Sequence, residues 1–101
     1  MRLTPRQIHS IKQVAAEVFG SDAQLYLFGS RVDDQRRGGD IDLYITGTAL
    51  PLEAQLESKL KFLVKVKQQL GDQRIDLVVA PMPGQALQPI HRMAQQTGMP
   101  L

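Results

Sequence analysis

The spacing of apolar residues predicts three helices in this chain. In residues 4–19, 52–70 and about 87–97, apolar side chains recur every three or four positions, the period of an amphipathic helix. The apolar face of the first helix consists of Ile8, Ile11, Ala15 and Val18. The predicted buried stripe of the second consists of Leu52, Leu56, Leu60, Leu63 and Leu70. The packing residues expected in the third are Ile90, Met93 and Ala94.

Three shorter segments instead have the composition and alternation of strands. Residues 24–28 are apolar on both faces, as expected of a central strand. Residues 40–46 and 74–80 alternate between apolar and polar positions, which predicts one face toward a core. The predicted core-facing residues are Ile41, Leu43 and Ile45 in the second strand and Ile75, Leu77 and Val79 in the third. The order of elements predicts an α/β fold: a single small domain, residues 1–101, whose short mixed sheet of about three strands packs against helices.

Carboxylates occupy the side of these strands that faces away from the predicted core. Because side chains alternate along a strand, Asp40 and Asp42 point the same way, with their Cα atoms about 7 Å apart. Asp76 alternates with core-facing residues in the same manner. Carboxylate oxygens suit Mg²⁺, and two such ions about 3.5–4 Å apart can promote in-line phosphoryl displacement. The pattern predicts a metal site for phosphate chemistry; the alternative is a solvated outer face of the sheet.

A glycine and a serine follow the first strand, ahead of the predicted carboxylate site. Gly29 would let a phosphate approach the backbone, and Ser30 can donate its hydroxyl and its N–H. Arg31 comes next and has two interpretations, a phosphate contact or a solvated loop charge. These residues extend the predicted site from metal binding to phosphate binding.

The combined motif resembles a known family signature. Gly29-Ser30, nine intervening residues and Asp40-x-Asp42 resemble the signature of the DNA polymerase β-like nucleotidyltransferase superfamily, and Asp76 matches its third carboxylate. The short length points to the minimal nucleotidyltransferase (MNT) proteins, related to the antitoxins of HEPN/MNT toxin–antitoxin pairs. The resemblance covers residues 4–98 and implies the polymerase β-like fold.

The resemblance also implies a reaction. The residues that would hold two Mg²⁺ ions are Asp40, Asp42 and Asp76. Those that would bind the phosphates of ATP are Gly29, Ser30 and Arg31. Asp76 would also take the proton of an acceptor hydroxyl as it attacks the α-phosphorus. By analogy with the HEPN/MNT pairs, the acceptor would be a tyrosine of a HEPN-type toxin, and its modification with AMP would make this chain an antitoxin.

Two alternatives belong to other functional classes. A binding-only antitoxin would neutralise its partner sterically, without catalysis. Transfer to a small molecule or to nucleic acid is less favoured, because the first usually needs a helical second domain and the second a larger basic surface. Four lysines of the second helix are either a solvated surface or a docking site for an acidic partner; they are Lys59, Lys61, Lys65 and Lys67.

Composition limits the kinds of site that the protein can contain and the cellular compartment expected for it. The chain has 101 residues, a net charge of +2 and no cysteine, so disulfides and thiolate metal sites are excluded. Its apolar runs are shorter than the roughly 18 residues of a membrane span, and the N-terminal segment lacks the apolar core of a signal peptide. We expect a cytoplasmic protein that is not membrane-bound and does not use nucleic acid as its direct substrate.

Overall fold

The computed structural model describes residues 3–29, 41–48, 50–71, 74–81 and 84–101, without the side chain of Leu52. The helices in these ranges are α1 (Pro5–Phe19), α2 (Leu52–Leu70) and α3 (Pro89–Thr97). The strands are β1 (Gln24–Phe28), β2 (Ile41–Thr46), β3 (Ile75–Val79) and β4 (Met99–Pro100). They form a sheet in the order β3-β2-β1-β4, in which only the β2–β3 pair is parallel. The predicted α/β fold with a mixed sheet is confirmed.

The start of α1 shows how closely local sequence determines this element. Thr4 Oγ1 accepts a hydrogen bond from the Gln7 amide at 3.1 Å, and Gln7 Oε1 accepts one from the Thr4 amide at 2.9 Å. This capping box satisfies two amides that the helix leaves unpaired, and Pro5 occupies the first helical position. The buried residues of α1 are Ile11, Val14, Ala15 and Phe19. The predicted apolar face is therefore confirmed, and Val14 and Phe19 complete it.

The main core lies between one face of the sheet and the layer formed by α1 and α2. Ile41, Leu43 and Ile45 of β2 are 0% exposed, which confirms the predicted orientation of this strand. The aromatic rings of Phe19 and Phe62 join the two helices, with their centroids 5.8 Å apart. Burial of this many large side chains is the main source of stability in a domain of this size.

Helix α2 has the predicted bounds but buries a different face. The side chains of α2 that are buried are Gln55, Phe62 and Val66. Leu56, Leu60 and Val64 are exposed by 64, 56 and 57%. The predicted stripe is therefore wrong at Leu56 and Leu60. The helix carries apolar residues on an arc wider than one packing face, and the bulky Phe62 takes the inner position.

The remaining members of the predicted stripe lie beside the buried face. Leu63 and Leu70 are partly buried and pack against the core. The side chain of Leu52 falls outside the described part of the chain. Gln55 is the polar residue on the inner face, and its Nε2 donates to the Leu50 carbonyl at 3.0 Å. That hydrogen bond compensates for the loss of water on burial.

Helix α3 covers the opposite face of the sheet only in part. It begins at Pro89 rather than near residue 87, and it packs through Ala94 against Phe28 and Tyr44. The packing predicted for Ile90 and Met93 is wrong, because they are 43 and 49% exposed. After α3 the chain continues into β4, which pairs with β1 and was not predicted. No helix in the described ranges has the length and apolarity to span a bilayer.

Candidate active site

Strand β2 carries Asp42 on the face that points away from the main core. Asp42 alternates with the fully buried Ile41 and Leu43, so its side chain lies on the α3 side of the sheet. Tyr44, the next residue on that side, is buried beneath α3, whereas Asp42 is half-buried. Asp42 is therefore less covered than Tyr44 on the same face of the sheet.

The structure brings Asp42 and Asp76 together. In the parallel β2–β3 pair the two residues are in register, so their side chains lie on the same face of neighbouring strands, about 4.8 Å apart at the backbone. Asp76 is exposed to solvent and Asp42 is partly covered. Two adjacent carboxylates repel each other unless a cation or donor lies between them. Their hard oxygens make the pair suitable for Mg²⁺.

Gly29 packs directly against the Asp42 carboxylate. The β1–β2 register pairs Phe28 with Asp42, which brings Gly29, the residue that follows β1, beside this side chain. A Cβ on Gly29 would lie 2.5 Å from Asp42 Oδ2 and 3.3 Å from Asp42 Cγ. The φ of Gly29 is also +76°, a conformation that favours glycine. Any side chain at position 29 would therefore strain the backbone and displace the carboxylate.

Half of the predicted site falls outside the described residues. The residues in that half are Ser30, Arg31 and Asp40. Their predicted roles stay predictions. Among the residues that the structure describes, no group of three His, Cys, Asp or Glu side chains could hold a metal ion. Asp42 and Asp76 supply two carboxylates, and Asp40 is the residue that would supply the third. The two-metal site is thus a prediction that depends on Asp40.

An aromatic pocket lies on the same face of the sheet, where Tyr44 and Thr46 follow Asp42 along β2. Its volume is about 220 Å³, and it is lined by Tyr26, Tyr44, Thr46, Ala94, Gln95 and Gly98. The Tyr26 and Tyr44 rings lie 6.3 Å apart, and Gln95 Nε2 donates to the Tyr44 hydroxyl at 3.1 Å. Sequence reasoning missed this pocket, because contacts between β1, β2 and α3 create it and no local motif marks it.

Comparison with known proteins identifies the fold. No protein-family model and no curated protein matches the sequence. A chain in the crystal structure of the toxin-antitoxin MntA-HpeT, in a mutant with two aspartate-to-glutamate substitutions two positions apart, is similar to this chain. The TM-score is 0.63 and the identity 21%, over 97% of this chain and 71% of that one. The likeness shows that this chain has the nucleotidyltransferase fold.

Proposed function

We propose that this chain is a Mg²⁺-dependent nucleotidyltransferase that transfers AMP from ATP to a hydroxyl group of a protein partner, and that it acts in this way as an antitoxin. The observation that carries the proposal is the register of Asp42 beside Asp76, next to a glycine that leaves room for the Asp42 carboxylate. The nucleotidyltransferase fold supports the same chemistry.

The six candidate residues have different proposed roles. Asp42 and Asp76, together with Asp40, would hold two Mg²⁺ ions through carboxylate oxygens. A metal site of this kind would supply the positive charge that neutralises the phosphoryl oxygens of ATP. The residues that bind the phosphates are Gly29, Ser30 and Arg31.

Asp76 has a second role in the proposed reaction. Because it is solvent-exposed, it can reach the hydroxyl of an incoming acceptor and accept its proton. The acceptor oxygen then bonds to the α-phosphorus, the bond from that phosphorus to the leaving oxygen breaks, and pyrophosphate departs. The acceptor keeps the AMP group.

The proposed partner is a HEPN-type toxin, and the proposed acceptor is one of its tyrosines. Support comes from the similar solved structure, which is a toxin-antitoxin complex. The aspartates substituted in that structure are two positions apart, which is also the spacing of Asp40 and Asp42. Since Asp76 is exposed and Asp42 is only half-buried, an acceptor on another protein can approach them.

The test follows the position of a radioactive label. Incubation of the chain with a co-expressed HEPN-type partner should move label from α-³²P-ATP, and not from γ-³²P-ATP, onto the partner in the presence of Mg²⁺. Asp42→Asn should abolish the transfer, whereas Asp22→Asn, at an exposed carboxylate outside the site, should preserve it. Label from the γ position would identify a kinase and contradict the proposal.

The same experiment separates catalysis from binding alone. A binding-only antitoxin would neutralise the toxicity of its partner equally well as wild type and as Asp42→Asn, and no label would reach the partner. The catalytic proposal predicts that Asp42→Asn still binds the partner but no longer neutralises it. Growth of cells that co-express the partner measures the difference.

A further inference from the structure

The outer side of α2 carries an apolar stripe that the fold leaves uncovered. Leu56, Leu60 and Val64 follow one another at four-residue intervals, and more than half of each side chain is exposed. Isolated surface leucines are ordinary in proteins, but three in one line form a continuous apolar strip. A shallow groove of about 420 Å³ runs beside it, lined by Glu57, Leu60, Lys61, Val64, Lys65 and Gln68.

Charges are distributed unevenly around this stripe. The acidic residues of α2 are Glu53 and Glu57, both in its N-terminal half, and the basic residues are Lys59, Lys61, Lys65 and Lys67. Glu57 pairs with Lys61 at 3.6 Å, and Lys65 pairs with Glu17 of α1 at 3.6 Å. Among the described residues, Glu53 and Lys67 at the two ends make no ion pair. The two ends of the stripe therefore carry opposite charges that remain available.

The pattern is symmetric about Leu60. Leu56 and Val64 are each four residues from Leu60, and Glu53 and Lys67 are each seven residues from it. Positions seven residues apart lie nearly along one line of a helix, so Glu53, Leu60 and Lys67 share the outer surface. This symmetry matches a second copy of the same helix that runs in the opposite direction.

We propose that α2 is the interface of a homodimer in which two copies pack antiparallel about a two-fold axis beside Leu60. This arrangement places Leu60 against Leu60 of the second copy, Leu56 against Val64, and Glu53 against Lys67. Two-fold symmetry duplicates the Leu56–Val64 and Glu53–Lys67 contacts, whereas the contact between the two Leu60 side chains lies on the axis and occurs once. Three apolar side chains per helix bury less area than a standard interface of about 1,600 Å². We therefore expect the dimer to be weak and reversible.

The proposed interface is separate from the candidate active site. Helix α2 packs on the sheet face that carries Ile41 and Leu43, whereas Asp42 lies on the opposite face. Dimerisation therefore leaves the carboxylates accessible, and the proposal does not depend on the proposed function. Each dimer would therefore have two accessible candidate active sites.

Sedimentation velocity of the full chain over a wide concentration range tests the dimer. Wild type should shift reversibly from monomer to dimer as concentration rises. Leu60→Glu should raise the dissociation constant at least about tenfold, because two glutamates would face each other at the axis. Met93→Glu, at a comparably exposed apolar residue of α3, is the matched control and should dimerise like wild type. Thermal unfolding of both variants verifies that the monomer remains folded.

A charge reversal tests the antiparallel direction. Glu53→Lys and Lys67→Glu should each weaken the dimer, because each places like charges opposite one another, and the double variant should restore it. The same charges also complement the helix macrodipole, so the melting temperature of each variant is measured separately. A wild type that stays monomeric, a Leu60→Glu variant that dimerises normally, or a double variant without recovery would overturn the proposal. Loss of binding to another protein in Leu60→Glu, with wild type monomeric, would assign the stripe to that protein instead.

Discussion

The two faces of the sheet differ in how completely helices cover them. Toward α1 and α2, β2 contributes Ile41, Leu43 and Ile45, all inaccessible to solvent. Toward α3, the same strand contributes Asp42, which is half-buried, and Tyr44, which is buried under Ala94. Alternation along a single strand thus supplies a closed core on one side and an accessible carboxylate on the other. Stability and chemistry are divided between the faces, so substitutions on each face should affect different measurements.

The largest loss of stability is expected in α2, which packs on the closed face of the sheet, the side that carries Ile41, Leu43 and Ile45. Phe62→Ala should lower the free energy of unfolding by about 3–5 kcal/mol, because it leaves a cavity under a fully buried ring. Leu60→Ala, two positions away on the exposed side, should change it by less than about 0.5 kcal/mol. Urea unfolding of both variants measures the contrast. Equal losses would mean that the buried face of α2 is assigned incorrectly.

If Phe62→Ala is too unstable to purify, Phe62→Leu provides the milder comparison. It keeps an apolar side chain of intermediate size and should still be clearly less stable than Leu60→Ala. A Phe62→Leu variant as stable as wild type would contradict the assignment in the same way.

An intermediate loss of stability is expected at Gly29, which follows β1. It contacts Asp42 on the open face of the sheet, the side toward α3. Gly29→Ala should destabilise the fold by about 1–2 kcal/mol, because alanine is strained at a φ of +76°. The new Cβ would also push on Asp42 Oδ2, so AMP transfer should be lost in addition. Thermal unfolding and the labelling assay measure the two consequences.

Gly71→Ala is the matched control for this substitution. Gly71 has a φ of +85°, but a Cβ there meets nothing within 4 Å. It should cost similar stability and preserve transfer. If both variants retain activity, Gly29 acts only as a turn residue, and its contact with Asp42 has no functional consequence.

The sequence predicts features of both faces that arise from neighbouring residues. The Thr4–Gln7 capping box and the alternation of β2 and β3 are local, and the structure has them. Neighbouring residues alone do not determine which face of α2 is buried. Leu56, Leu60 and Val64 fit a helical stripe as well as Phe62 and Val66 do, and only packing against α1 and the sheet decides between them. Strand β4 was missed because two residues, one of them proline, carry no recognisable alternation.

The candidate site divides in the same way. Sequence identifies Gly29, Asp42 and Asp76 as residues of interest, because their types and spacing resemble a known signature. It does not show that Asp42 and Asp76 are in register or that Gly29 packs against Asp42, since both depend on how three strands pair. The predicted roles of Ser30, Arg31 and Asp40 rest on the resemblance.

The smallest change in stability is expected at Asp76, the exposed carboxylate on the open face. Asp76 carries the same charge as Asp42 on the neighbouring strand and its side chain is exposed, so its substitution removes a like charge without leaving a cavity. Asp76→Asn should therefore melt in EDTA at the same temperature as wild type or a few degrees higher. Mg²⁺ stabilises a protein only through binding to its folded state, so the variant should also lose most of the shift that Mg²⁺ produces in wild type. Thermal unfolding of both proteins, with EDTA and with Mg²⁺, measures the two quantities.

Asp22→Asn distinguishes the loss of a metal ligand from a general loss of negative charge. Asp22 is an exposed carboxylate at the turn between α1 and β1, remote from Asp76 along the sheet. Its substitution removes the same charge and should leave the Mg²⁺ shift intact. A structural role for Asp76 predicts the reverse of the metal assignment: a lower melting temperature in EDTA and an undiminished response to Mg²⁺. That outcome would remove Asp76 from the candidate site and leave Asp42 as the carboxylate that the open face contributes within the described residues.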